Sequence, residues 1–226
     1  MLFHSIQGAG GFNVPLQFVG GAGLNSVATT TPSFSLTGLT GGIASAPAAG
    51  DIVIVCIGIN NTTDRNIQCT TSGYTEIFDL FNNPAQFAAY YKILSSAETS
   101  IAFNVAVSAV SRICIHVWRN PNATQLDVSA VTNSTTLSAP NAPSITTVTN
   151  NAVVIAMGRH EAGSAGSALT VPSGMENFFN NNSTVSATAI ASTFINPAGS
   201  YDPPTFGGGG GTSTRNLAAT IAIRPL

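Results

Sequence analysis

The stretch GDIVIVCIGIN, residues 50–60, constrains this chain more than any other. From Ile52 to Ile59 it carries no charged or amide side chain, and it stops at Asn60-Asn61-Thr62-Thr63. A membrane helix needs about 20 consecutive apolar residues, so this run is too short to be an anchor. Isoleucine and valine dominate it, which favours a strand over a buried helix. In a strand, Ile52, Ile54 and Cys56 share one face, and Val53, Val55 and Ile57 the other. Both faces are apolar, so the strand must be central in a sheet and capped by another layer. A similar run, NNAVVIAMGRH, follows at 150–160.

From residue 33 onward the chain reads as short β runs separated by turn residues. Candidate strands span 33–39, 51–59, 74–80, 86–93, 100–107, 110–118, 125–131, 152–158, 175–179, 185–194 and 214–223. The breakers between them, such as SAPAAGD, INNTTDRN, RNPNAT and APNAPS, are rich in Asn, Pro and Gly. No helical window of convincing length interrupts them, and many short strands indicate a sandwich or barrel. In SRICIHVWRN, Ile113, Ile115 and Val117 oppose Arg112, Cys114, His116 and Trp118. NLAATIAIRP alternates in the same way, so both are expected to be half-buried strands.

Residues 1–32 read differently. Glycines at 8, 10, 11, 20, 21 and 23 forbid a stable helix. The expectation is an extended N-terminal arm whose Phe3, Ile6, Phe12, Leu16 and Phe18 dock onto a neighbouring subunit. The alternative is a disordered terminus. The opening MLFHSIQGAGGF lacks a basic region, an apolar core and a cleavage site, so no secretory signal is expected.

Charged residues make up 7% of the chain, against about 25% in ordinary soluble domains. Lys92 is the only lysine, and the net charge is −2. Seven scattered cations form no patch for a phosphate backbone or an anionic membrane, so neither is an expected partner. A weakly charged surface also permits close packing of copies. The three cysteines, Cys56, Cys69 and Cys114, show no zinc spacing and are expected to be reduced, in a protein folded in a cytoplasm.

The two halves of the chain repeat a pattern. GDIVIVCIG, TSGYTEIF, QFAAYYKI and SRICIHVWRN in the first match NAVVIAMGR, VPSGMENFF, TAIASTFIN and NLAATIAIRP in the second. A spacing near a hundred residues is too long for a solenoid and suits two β halves packed face to face, about 48–120 and 150–226. Taken in order, GDIVIVCIG, SGYTEI, AAYYKI, VWRN, APSITTVTNNAVVIAMG and IAIRP resemble a group of virion proteins of tailed bacteriophages, over residues 48–226. The resemblance implies a β-sandwich in a homo-oligomer on the particle surface, as head decoration, a head or neck fibre, or a tail-fibre module. It brings no catalytic residues.

Several residues suggest chemistry, and each also has a plainer role. His160-Glu161 is the most reactive-looking pair, but neighbours on a strand point to opposite faces. His116 shares a face with Arg112, with Asp127 the nearest later carboxylate, and no GxSxG elbow presents a nucleophile. An inter-sheet or inter-subunit contact is the plainer reading of Arg112, His116 and Trp118. Nothing in the spacing of Glu76, Asp79, Glu98, Glu161 and Glu176 selects a glycosidase pair. Asp51, Asp64 and Asp202 stand apart, without metal-loop spacing. PPTFGGGGGTST, 203–214, lacks the lysine of a phosphate loop, and with ENFFNNNST, 176–184, it is expected to form a loop tip. There Asn177, Phe178, Phe179, Asn180, Asn181 and Phe206 offer stacking and hydrogen bonds to a sugar.

The sequence thus predicts an all-β, two-sheet antiparallel, jelly-roll-like sandwich over 33–226 with an arm at 1–32. The expected role is non-enzymatic, without cofactors or metals: a virion surface protein, made in the bacterial cytoplasm and assembled as a homo-oligomer, a trimer, with other virion proteins. A host-polysaccharide receptor module is the second reading and a carbohydrate-active enzyme the third.

Overall fold

The computed structural model describes residues 14–162, 166–183, 185–211 and 214–226. Its first half runs β1 (Gln17–Asn25), β2 (Ser33–Ser35), β3 (Ile52–Asn60), β4 (Gln68–Cys69), β5 (Thr75–Asn82), β6 (Ala85–Ile93), β7 (Ser100–Asn104) and β8 (Arg112–Arg119). The second runs β9 (Pro121–Thr135), β10 (Ile145–Thr146), β11 (Ala152–Glu161), β12 (Ser167–Thr170), β13 (Glu176–Asn182), β14 (Ser186–Ile195), β15 (Ser200–Tyr201), β16 (Gly207–Gly209) and β17 (Arg215–Pro225). The all-β sandwich is borne out. Every pairing is antiparallel.

Two five-stranded sheets form the centre. One has the order β1-β8-β3-β6-β5 and the other β9-β17-β11-β14-β13, so each strand of one has a counterpart in the other. The registers match as well. Ile52 lies opposite Ile93 and Trp118, while Val153 lies opposite Phe194 and Ile223. Turns are shared too. Gly50 and Asn151, each two residues before this register pair, both take left-handed backbone (φ 86° and 61°), as do Gly73 and Gly174 in the two Ser-Gly turns (85° and 73°). A tight reversal needs this conformation there, and Gly or Asn adopts it at least cost.

The inner faces of the two sheets meet in one core. Ile52, Ile54, Cys56, Phe87, Cys114 and Trp118 pack against Val153, Ile155, Met157, Ile190, Leu217 and Ile221. Each sheet is also covered outside. Val53, Val55, Ile57, Ile113, Ile115 and Val117 pack under the small sheet β2-β7-β4 through Phe34, Ile101 and Phe103. Over the second sheet lie β12-β16, β10-β15 and the segment around Ala142, packed on Ala156, Ala189, Ala191 and Ala218. Alanine suits that face because the cover is close: a Cβ on Gly158 would meet Pro140 at 2.9 Å and Phe206 at 3.0 Å.

Three expectations need correction. The sandwich has four layers where two sheets were expected, since each half supplies both a large sheet and its outer cover. β8 and β17 are buried on both faces, not half-buried; the face of β8 bearing Arg112, Cys114, His116 and Trp118 is the inter-sheet face. And the arm does not extend to residue 32. Gln17–Asn25 is an edge strand paired with β8, and Thr29 bridges to Ala109. Its glycines do exclude a helix, but they serve packing as well. A Cβ on Gly23 would sit 2.0 Å from the Asn180 carbonyl oxygen, and one on Gly21 2.5 Å from the Phe179 ring, so they let β1 pass close to β13.

Candidate functional site

β11 ends on Arg159, His160 and Glu161, all buried. Alternation sends Arg159 and Glu161 inward and His160 outward, as the strand period requires. Arg159 Nη2 donates to Glu161 Oε2 at 2.8 Å, and Asn60 Nδ2 donates to Glu161 Oε1 at 2.8 Å. Arg159 Nη1 reaches the Ala187 carbonyl at 3.4 Å. Room for the arginine stem comes from Gly58, where a Cβ would lie 2.5 Å from Arg159 Cδ. Burial pushes the Glu161 carboxyl up, opposed by Arg159 and Arg112, and lowers the Arg159 guanidinium to about 10. On the other face, His160 Nδ1 meets Asn216 Oδ1 at 2.8 Å and Nε2 meets the Gly210 carbonyl at 3.0 Å. Asn216 in turn donates to the Leu137 carbonyl. The pair that looked most reactive is divided between two layers and fastened in each.

His116 lies in an aromatic nest between the sheets. Phe18, Trp118 and Phe179 surround it, with ring centroids 5.1, 6.3 and 5.8 Å away. Its Nε2 is 2.7 Å from the Asn177 carbonyl, so Nε2 carries the hydrogen and donates. Burial lowers its pKa to about 3, against the smaller opposing effect of that bond. Nδ1 has no partner. An imidazole held neutral this firmly, with no carboxylate against it, is a packing element.

The carboxylates are engaged as well. Asp51 takes Arg119 Nε on Oδ1 at 2.9 Å, with Arg119 Nη2 at 3.1 Å and the Ala48 amide at 2.8 Å on Oδ2. In the second half Asp127 takes Arg224 at 3.2 Å and the Val148 and Thr149 amides at 2.6 and 3.3 Å. Arg119 and Arg224 close equivalent strands, so each half is clasped by one arginine and one carboxylate at the turn into its central strand. Beside the first clasp lies a cavity of about 310 Å³ lined by Ala49, Gly50, Asn120, Pro121 and Leu226. Asp79 receives the Ile67 amide at 3.1 Å and Gln86 Nε2 at 3.3 Å; Gln86 also reaches Asp64 and receives the Arg65 amide. Glu76 accepts from Tyr90, and Glu98 pairs with Lys92 and Tyr74. Asp202 and Glu176 are exposed. Among the described residues no group of three or more His, Cys, Asp or Glu side chains is placed to hold a metal ion.

The structure rearranges the residues singled out for contact. Phe3, Ile6 and Phe12 lie outside the described residues. Leu16 is buried in the inner core and Phe18 packs against it. His116 and Trp118 are wholly buried and Arg112 is half-buried at the inter-sheet end, so His116 and Trp118 contact no neighbouring subunit. The supposed loop tip at Asn177, Phe178, Phe179, Asn180 and Asn181 is strand β13, each residue half-buried; Phe179 packs inward and Phe178 against the outer layer. Phe206 is 2% exposed beneath the outer cover, and Gly207–Gly209 pair with β12. Phe206 therefore offers no face to a sugar, and Phe178 and Phe179 offer only part of theirs, from a strand and not a loop tip. Sequence reasoning missed Gln86 and Asn216, both buried, which tie loops to strands; their signal was an amide inside AQFAAYY and beside NLAAT.

Compared with protein-family models, with curated proteins and with solved structures, the chain matches none of them.

Proposed function

We propose that this chain is a non-enzymatic structural protein acting by docking of subunit on subunit. Its proposed setting is the surface of a tailed-phage virion, as decoration or as a head or neck fibre component, with copies of itself and other virion proteins as partners. The setting rests on the ordered set of short motifs in 48–226. The docking role rests on one observation. His116, His160 and the buried carboxylates Asp51, Asp127 and Glu161 are engaged in holding strands, turns and layers together. What remains outward is a sparsely charged surface rich in Ser, Thr, Asn and Ala, with exposed carboxylates at Asp64, Glu76, Glu176 and Asp202, and the free edge of β9.

That edge supports the reading most directly. β9 is the longest strand, fifteen residues, and ends its sheet with one side unpaired. Its one charged side chain, Asp127, is turned into the clasp with Arg224. Unpaired edge groups without lysine or glutamate to blunt them are a template for backbone pairing with another chain. Light scattering of the purified chain tests the docking role, and immunogold labelling of intact particles tests the setting. An oligomer in solution and label on the particle surface are expected. A monomer that leaves particles unlabelled and binds or cleaves host polysaccharide overturns the reading in favour of its receptor or enzyme rivals.

A further inference from the structure

Cys56 on β3 and Cys114 on β8 stand directly opposite one another in adjacent antiparallel strands. Opposed residues in such a pair have Cα atoms about 4.5 or 5.5 Å apart, both within the span of about 4.4–6.8 Å that a disulfide bridges. Both side chains point into the inner core, both are 0% exposed, and both are free thiols in the structure. Cys114 also donates to the Thr188 carbonyl at 3.2 Å. Packing does not require two cysteines. At the equivalent register in the second half, Met157 stands opposite Ala219 and fills the same place in the core. Cys69 is elsewhere, on β4 in the outer layer, packed with the cluster on the far side of the first sheet.

We propose that Cys56 and Cys114 are a redox-modification site: they form a cross-strand disulfide that locks the first half of the molecule. The oxidant is a low-molecular-weight disulfide such as oxidised glutathione. One protein thiol, as thiolate, attacks a glutathione sulfur; a mixed disulfide forms and one glutathione thiolate leaves and takes up a proton. The second protein thiolate then attacks the protein sulfur of that mixed disulfide, and the second glutathione leaves. Two thiols are oxidised and one oxidised glutathione is reduced to two thiols. Exchange takes place while β3 and β8 are parted, during folding or transient opening, because the closed core admits no oxidant and burial raises the Cys114 thiol well above its ordinary range. The bond closes a loop of residues 57–113, which contains β4 to β7 and so two of the three strands, β4 and β7, that cover the first sheet outside. This inference is independent of the virion reading, since it rests on the strand register alone.

The test is refolding of the full chain from denaturant with oxidised and reduced glutathione. It is followed by counting thiols in denaturant and by mass mapping of an unreduced digest. One free thiol of three is expected, with a single 56–114 linkage and a thermal midpoint raised by more than about 5 °C over the reduced protein. Cys69→Ser, at a half-exposed position, tests the assignment without opening the core: it is expected to fold and to leave no free thiol. Three free thiols, persistent glutathione adducts, or a linkage through Cys69 overturns the proposal.

Discussion

At the residue scale, His116 and Asp79 make stability respond to acid in opposite senses. The His116 pKa is lowered to about 3, mainly by burial, so the unfolded chain binds a proton there from pH 6.5 downward while the folded chain does not. The stability this provides is complete above about pH 6.5 and is lost as pH falls toward 3, by an upper bound of about 4–5 kcal/mol. Asp79 is raised to about 6, mainly by burial, so its folded form holds a proton that the unfolded form has released between pH 3.8 and 6. Its contribution therefore grows as pH falls through 6, and with solvent screening it is below about 2 kcal/mol. The histidine wins. Urea midpoints at pH 7.5 and 4.5 are expected to show a fall in acid. Replacing His116→Gln, which keeps a donor for the Asn177 carbonyl, should flatten that fall, and Asp79→Asn should steepen it. Arg159 and Glu161 give a second residue-scale prediction. Removing one partner leaves a buried charge, so Glu161→Gln or Arg159→Met alone should cost about 3–5 kcal/mol. The double replacement should cost less than the two single costs added together, as read from a double-mutant cycle in urea.

At the element scale, the molecule turns on the pairing of β3 with β11 across the core. Asn60 touches Glu161 and Gly58 makes room for Arg159, so equivalent positions of the two central strands meet each other. Gly58→Ala would push a methyl into an arginine stem that has no free space. A loss of about 1–3 kcal/mol is expected in thermal or urea unfolding, larger than for Gly38→Ala only if the clash outweighs the left-handed strain at that open turn. The eleven strands expected from the sequence are all present, because unbroken β-branched runs between Asn-Pro-Gly turns leave little choice of structure. What stayed hidden depends on neighbours distant in sequence. β1 reads as glycine-rich chain until Phe179 and Asn180 are seen against it, and β13 reads as a polar tip until β14 pairs with it. Even the repeat misleads locally. Aligning Gly58 with Gly158 is the obvious match, yet the register sets Gly58 against Arg159. A slip of one residue turns every side chain to the other face. Histidine and glutamate on strands looked like chemistry because sequence alone does not show that a second layer covers them. The free edge of β9 gives a further prediction at this scale. Val131, 36% exposed on that strand, replaced by lysine should shift the proposed oligomer toward monomer in sedimentation with the fold unchanged by circular dichroism.

At the scale of the whole molecule, two halves with the same strand order are stacked through the same face, as the subunits of an isologous dimer would be. Each half keeps its own outer core, but both depend on the shared inner one. Within the first half alone, Ile52, Ile54, Phe87 and Trp118 would face water; within the second, Val153, Ile155, Ile190 and Ile221 would. An apolar face of that extent is not stable in solution, so an isolated half must cover it with another copy or aggregate. The join between halves is short: β8 ends at Arg119 and β9 begins at Pro121, with only left-handed Asn120 between. Covalent continuity across it therefore serves proximity more than architecture. Separately produced segments 14–120 and 121–226 should each self-associate or precipitate, and when co-refolded should recover a soluble one-to-one complex with the β spectrum of the intact chain. The two faces differ where it matters for choosing the right partner, since Arg159 fits only over a glycine at position 58. A first half carrying Gly58→Ala should then pair less well with the second half, by at least tenfold in the fraction recovered on size exclusion. If both halves instead fold as soluble monomers, the inner core is not what holds the molecule together.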